Sequence, residues 1–188
     1  MSAEPRAFLA AMVPSHVRDP MEDAVRLAEL DRRLGGEMVV PENWHQTLSA
    51  RHFSPSDGLL ARLRRAGDRI EGNAFRMQFN RIAGGRQAPF HWEFRVRGEP
   101  YGFRGTLAAV QRGLASEQLE DDEGHRPHST LSYRAPGPLE TIIIQPVEWL
   151  VDEFQLVVGG GLPYRYHVVE RWALRPIHDQ TGAQFGLL

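Results

Sequence analysis

Apolar residues along this chain recur with two periods, and the changes of period mark out the elements. Arg6 to Val13 is short and almost continuously apolar, which predicts a buried strand ended by Pro14. From Ser15, an N-cap residue, Val17, Met21, Ala24, Val25, Ala28 and Leu34 recur at helical spacing, and Gly35-Gly36 ends that helix. Glu37 to Val40 predicts a short strand before Pro41, and His45 to His52 a further strand. Ser56 and Asp57 cap a second helix running to about Ile70, with Leu59, Leu60, Leu63, Ala66 and Ile70 inward. Ala74 to Ile82 alternates, with Phe75, Met77 and Phe79 on one face and Arg76 and Gln78 on the other, as does Phe90 to Val96, where Phe90, Trp92, Phe94 and Val96 face in and His91, Glu93, Arg95 and Arg97 face out. A third helix is predicted from Pro100 to about Glu117, on Phe103, Leu107, Val110 and Leu114. After an acidic loop, Glu120 to Gly124, come strands near His128–Tyr133, Val147–Val158 and Tyr164–Leu174, then a loosely held tail beyond Pro176. Strands and helices mixed in this order, with short turns between strand pairs, predict an α+β fold with mostly antiparallel sheet.

Composition narrows the chemistry more than the architecture. The 188 residues suffice for one core or for two small lobes sharing one. No apolar run is long enough for a membrane helix, and no secretory leader is evident, so cytoplasm is the expected location. A net charge of −2 argues against coating nucleic acid through bulk charge. There is no Cys, which excludes disulfides, thiolate metal sites and a Cys nucleophile. There is also no Lys, which excludes a Schiff base and a phosphate-loop lysine. Proton transfer near neutral pH therefore falls to His, Asp and Glu.

One pattern occurs twice. His45-Gln46-Thr47-Leu48 and His128-Ser129-Thr130-Leu131 share His-x-Thr-Leu, one in each half of the chain. On a strand, residues i and i+2 share a face, so His45 projects with Thr47 and His128 with Thr130, while Leu48 and Leu131 point into the core. Two such strands facing one groove would flank a phosphorus atom with two imidazoles and two hydroxyls. One imidazole takes a proton from water and the other gives one to a departing ribose oxygen, each role worth roughly 10²–10⁴ in rate. The two threonines would hold non-bridging oxygens. The division read here makes His128 the base and His45 the acid.

The paired motifs, the second entered through Arg126-Pro127, resemble those of the two-histidine phosphoesterase superfamily. Within it, the chain is similar to the LigT-like RNA 2′,3′-cyclic phosphodiesterases, also called 2′-5′ RNA ligases. Arg6-Ala7-Phe8 resembles the family's opening strand, Val40-Pro41-Glu42-Asn43 the loop before its first motif, and Tyr166 to Leu174 its closing strand. The resemblance implies one domain over residues 1–188, made of two interleaved, pseudo-twofold-related lobes. Each lobe would be an antiparallel sheet with outer helices that brings one motif to a central groove. It implies 2′,3′-cyclic phosphate opened to a 2′-phosphomonoester, with no metal or cofactor, on RNA 3′ ends or cyclic nucleotides. A monomer is the default expectation, because the two halves already form the groove, and no membrane partner is expected. Two alternatives stay open: a 2′-5′ oligonucleotide phosphodiesterase or ligase, and an RNA-end binding module with little catalysis.

The chain departs from the family pattern at one instructive place. The arginine usual five residues after the second histidine is replaced by Tyr133, with Arg134 following. Phosphate neutralisation then passes to Arg134 or Arg126, or activity on RNA falls. The first motif also runs on as Ser49-Ala50-Arg51-His52-Phe53 rather than as an apolar stretch, which alters that rim. Phe8 and Trp92 are candidates for stacking on a base, against a core role for each. Trp44 reads as core or rim, and Tyr164 and Tyr166 as packing, against lining the groove. His52, His91, His125 and His167 read as surface residues, with His125 close enough to modulate the second motif. The acidic loop lacks a calcium-loop pattern and is expected to point away from the site or to act as a lid.

Overall fold

The computed structural model describes residues 4–121 and 125–177. Most predicted elements form where the periodicity puts them. The chain runs β1 (Arg6–Met12), α1 (Ser15–Leu27), α2 (Leu30–Leu34), β2 (His45–Thr47), β3 (His52–Phe53), α3 (Asp57–Asp68), β4 (Phe75–Gly84) and β5 (Phe90–Val96). It continues with α4 (Phe103–Ser116), β6 (His128–Ala135), β7 (Ile142–Val151), β8 (Glu153–Gly160) and β9 (Arg165–Ala173). Two antiparallel sheets result, confirming the α+β class. One runs β2-β1-β8-β9, with β3 also on β1; the other runs β6-β5-β4-β7. Each sheet thus carries one His-x-Thr strand at an edge. Helix α1 packs against β7 of the second sheet, whereas α3 packs against β1, β8 and β9 of the first and against α4. Gly67 lets α3 close on β9, because a Cβ there would collide with the Trp172 ring. Among the described residues no helix is long and apolar enough to cross a membrane.

Five expectations need correction, each for a local reason. The first helix breaks after Leu27, because Glu29 takes a left-handed conformation, and Ser15 is its first helical residue rather than its cap. Glu37 to Val40 forms no strand. Gly35–Glu37 is a 3-10 turn, and Val39 spends its N–H on the Leu131 carbonyl and its own carbonyl on the Trp44 indole. The predicted strand His45–His52 is interrupted. Leu9 N–H donates to the Ser49 hydroxyl at 2.8 Å, so a side chain replaces a ladder carbonyl and the chain bulges before β3. Val147–Val158 is not one strand: β7 starts at Ile142, and the chain changes sheet at Asp152. The acidic loop does not wholly point away. Asp121 turns inward and accepts from Ala50 N–H at 2.7 Å, while residues 122–124 lie outside the described residues. So does the tail from 178 onward.

Candidate functional site

The two motif strands are joined by the side chain between His45 and Thr47. Gln46 has no exposed surface. Its amide nitrogen donates to the Thr47 carbonyl at 2.8 Å and to the Arg126 carbonyl at 3.1 Å, and its oxygen accepts from His128 N–H at 2.8 Å. The amide behaves as a short piece of backbone spanning from one sheet to the other. Sequence parity treats this residue only as one that faces away from the groove.

Both histidines are oriented by the same device. His45 Nδ1 lies 2.7 Å from the Asn43 carbonyl, and His128 Nδ1 lies 2.8 Å from the Arg126 carbonyl. A carbonyl only accepts, so each Nδ1 carries the proton in these bonds, and each neutral ring keeps its lone pair on Nε2. The repeat therefore extends to the residue two places before each histidine, whose carbonyl fixes the tautomer.

The surroundings of the two rings differ. His45 is 4% exposed, with Phe8 and Tyr166 ring centroids each 5.2 Å away. Burial drives its pKa down to about 3; the Asn43 carbonyl opposes this, and the charges of Arg51, Arg6 and His128 add to it. His128 is more open, with its side chain 22% exposed and Nε2 3.9 Å from the Glu93 carboxylate. Burial lowers its pKa as well, but the Arg126 carbonyl and Glu93 both pull it back up. The rings are close enough for charge on His128 to press on His45.

A groove of about 810 Å³ opens here, lined by Thr47, Ser49, Arg51, Phe53, His91, Glu93, His125, Arg126, His128, Thr130 and Tyr133. Thr47, Thr130 and His128 thus meet at one surface; His45, two residues before Thr47 on β2, is buried and is not among the lining residues. Glu93 is read from the alternation as an outward, solvated residue. It is 4% exposed, and its Oε1 accepts from Arg95 and Arg126, each at 2.7 Å. Arg126 is therefore at the groove but already paired. Tyr133 also reaches it, because β6 carries two extra residues against β5: Glu93 and Trp92 pair with Thr130 and Ser132, and Trp92 and Phe90 with Ser132 and Ala135. This irregular register leaves Arg134 exposed and outside the groove lining, a correction to its candidacy for phosphate.

Phe8 and Trp92 take the core role weighed for them against stacking, which corrects their candidacy as substrate-binding residues. Neither has exposed surface, so neither offers a face to a base; Trp92 is pinned by its indole N–H to the Gly137 carbonyl. Trp44 is core, 1% exposed. His125 lines the groove and faces Asp121 at 3.4 Å. Ser49, Arg51 and Phe53 line the groove, as the altered rim after the first motif led one to expect; sequence reasoning missed the placement of His91 there. It also missed a smaller adjoining cavity that Tyr133 shares with Arg6, Asn43, Tyr164 and Tyr166. Among the described residues no three His, Asp or Glu side chains gather as a metal site.

No protein-family profile matches the chain, and no curated protein does. Solved structures do match. The apo LigT of E. coli superposes with a TM-score of 0.71 at 24% identity, over 92% of this chain and 99% of that one. A protein of Thermus thermophilus gives 0.70 at 23% identity, over 92% and 100%. A structure described as a phosphoesterase gives 0.69 at 21%, over 92% and 99%. At these identities the likeness establishes that the chain has the LigT fold.

Proposed function

We propose that this chain is a two-histidine phosphoesterase that opens 2′,3′-cyclic phosphates at RNA 3′ ends or on nucleotides, leaving a 2′-phosphomonoester. The observation that carries the reading is the matched pair of imidazoles. Each is locked through Nδ1 to a carbonyl two residues back, each has Nε2 left for a substrate, and Gln46 ties their strands together. E. coli LigT has been crystallised with 3′-AMP and with phosphate. A ribose phosphate in the groove of this chain is the corresponding ligand.

In the proposed step a water oxygen bonds to phosphorus, and the bond from phosphorus to O3′ breaks. One Nε2 accepts the water proton and the other gives its proton to O3′. The electrostatics favour the opposite division from the one taken from sequence. His45, buried among cations, stays neutral and takes the proton; His128, beside Glu93, more readily holds one and gives it. Thr47 and Thr130 donate to the non-bridging oxygens. Turnover of 2′,3′-cyclic mononucleotides should persist in excess chelator. His45→Ala and His128→Ala should each lose at least about 10² in kcat. Abolition by chelator would refute the mechanism. The depth of His45 favours a second reading, an RNA-end binding module. Tight binding of 2′-phosphate-ended RNA without turnover would select it.

A further inference from the structure

A cyclic phosphodiester carries one negative charge and gains more as water adds, so the groove needs a cation free to meet it. The two sequence candidates do not serve. Arg126 shares the Glu93 carboxylate with Arg95, and Arg134 lies outside the groove lining. Arg6 opens on the adjoining cavity and donates to the Tyr166 hydroxyl at 2.6 Å.

Arg51 is different. It lines the groove with both threonines and His128, and among the described residues it meets no carboxylate. Its contact is with Tyr133: one guanidinium nitrogen donates to the phenol oxygen at 3.3 Å, and the carbon of the group lies 5.5 Å from the ring centroid. That spends one of five N–H donors and leaves the rest for a ligand. Its charge is felt at both His45 and His128, which places it near both rings. The backbone that presents it is held from two sides, by Ser49 accepting from Leu9 and by Asp121 accepting from Ala50. Tyr133 is the residue that stands where the resembled family carries its arginine.

We propose that Arg51 is the phosphate-neutralising residue of this groove, supplied from the first motif's side in place of the arginine missing from the second. Tyr133 supports it, with its ring beside the guanidinium and its hydroxyl accepting one N–H. The inference rests on the phosphoesterase reading above.

Arg51→Gln removes the charge while leaving a polar, hydrogen-bonding side chain at the groove. In the full chain it should lower kcat/KM on a 2′,3′-cyclic nucleotide by about 10²–10³. It should weaken binding of inorganic phosphate, followed by calorimetry, by about tenfold or more, with circular dichroism and Tm unchanged. Adding Tyr133→Arg to Arg51→Gln returns the charge from the other wall and should recover about tenfold of the lost activity. Arg51→Gln staying within about threefold of the wild type in both readouts would overturn the proposal. A wild-type chain with no turnover refutes the proposed reaction instead. The phosphate titration then still decides on Arg51: weaker binding in the variant supports its role, and unchanged binding overturns it.

Discussion

The two motif strands have the same four-residue pattern but unlike surroundings. On the β2 side, His45 is closed in by Phe8 and Tyr166, and the nearby cations Arg51 and Arg6 contact phenols. On the β6 side, His128 is more open, and the cations Arg95 and Arg126 converge on Glu93. Among the described residues, one wall is buried and sets no paired carboxylate against its two cations; the other is wetter and sets one carboxylate against two. A repeated motif thus supplies two similar groups, and the environment makes them unequal, which an acid and a base acting together require.

The largest effect is expected where the two walls are joined. Gln46→Met keeps side-chain bulk but removes three hydrogen bonds and strands His128 N–H inside the protein, while the Arg126 carbonyl keeps the His128 Nδ1–H. A stranded donor costs about 1–3 kcal/mol, and urea unfolding should show a loss in that range. Because the residue positions both histidines, kcat should fall by about 10² with KM little changed. Equal destabilisation with unchanged kcat would reduce Gln46 to a structural strut.

What the sequence revealed follows from how local each determinant is. The His-x-Thr-Leu pairing was legible because strand parity needs only neighbouring residues, and both strands begin at their histidines. The change of sheet at Asp152 was legible in principle. Val147, Trp149 and Val151 are buried on one parity and Phe154 and Leu156 on the other, although the apolar run hides the switch. The bulge after β2 depends on a Ser49 hydroxyl reaching β1, and the bulge in β6 depends on register against β5. Both are long-range, and together they decide that Arg51 and Tyr133 enter the groove while Arg134 does not. Glu93 misled for a similar reason. Alternation identified its face, but that face is roofed by arginines from two elements.

The buried wall should also reveal itself in acid. An unfolded chain protonates His45 at its ordinary pKa near 6.5, whereas the folded protein resists until about 3. Above 6.5 the ring is neutral in both states and imposes no penalty. As pH falls from 6.5 toward 3, the unfolded state gains the proton first and stability declines. At about 1.4 kcal/mol per unit, the loss between pH 7 and pH 4 is of the order of 3 kcal/mol. Urea unfolding at the two pH values should show this loss in the wild type and a correspondingly smaller one in His45→Ala. Equal losses in both would show that His45 is not held neutral by burial.

The smallest effect, and the most informative about roles, concerns the other wall. Glu93 raises the His128 pKa against the lowering caused by burial. Glu93→Gln removes that charge but keeps an oxygen for Arg95 and Arg126, so the His128 pKa should drop. At the pH optimum the rate should change by less than about tenfold. The alkaline limb of the kcat/KM profile belongs to the histidine of higher pKa, His128 beside Glu93, so Glu93→Gln draws that limb toward acid. A phosphodiester with a p-nitrophenolate leaving group, which departs without a proton, separates the roles. The proposed division predicts that His128→Ala recovers most of its activity on that ester and His45→Ala does not. Recovery by His45→Ala instead would exchange the two histidines, giving the more open wall the base and the buried wall the acid.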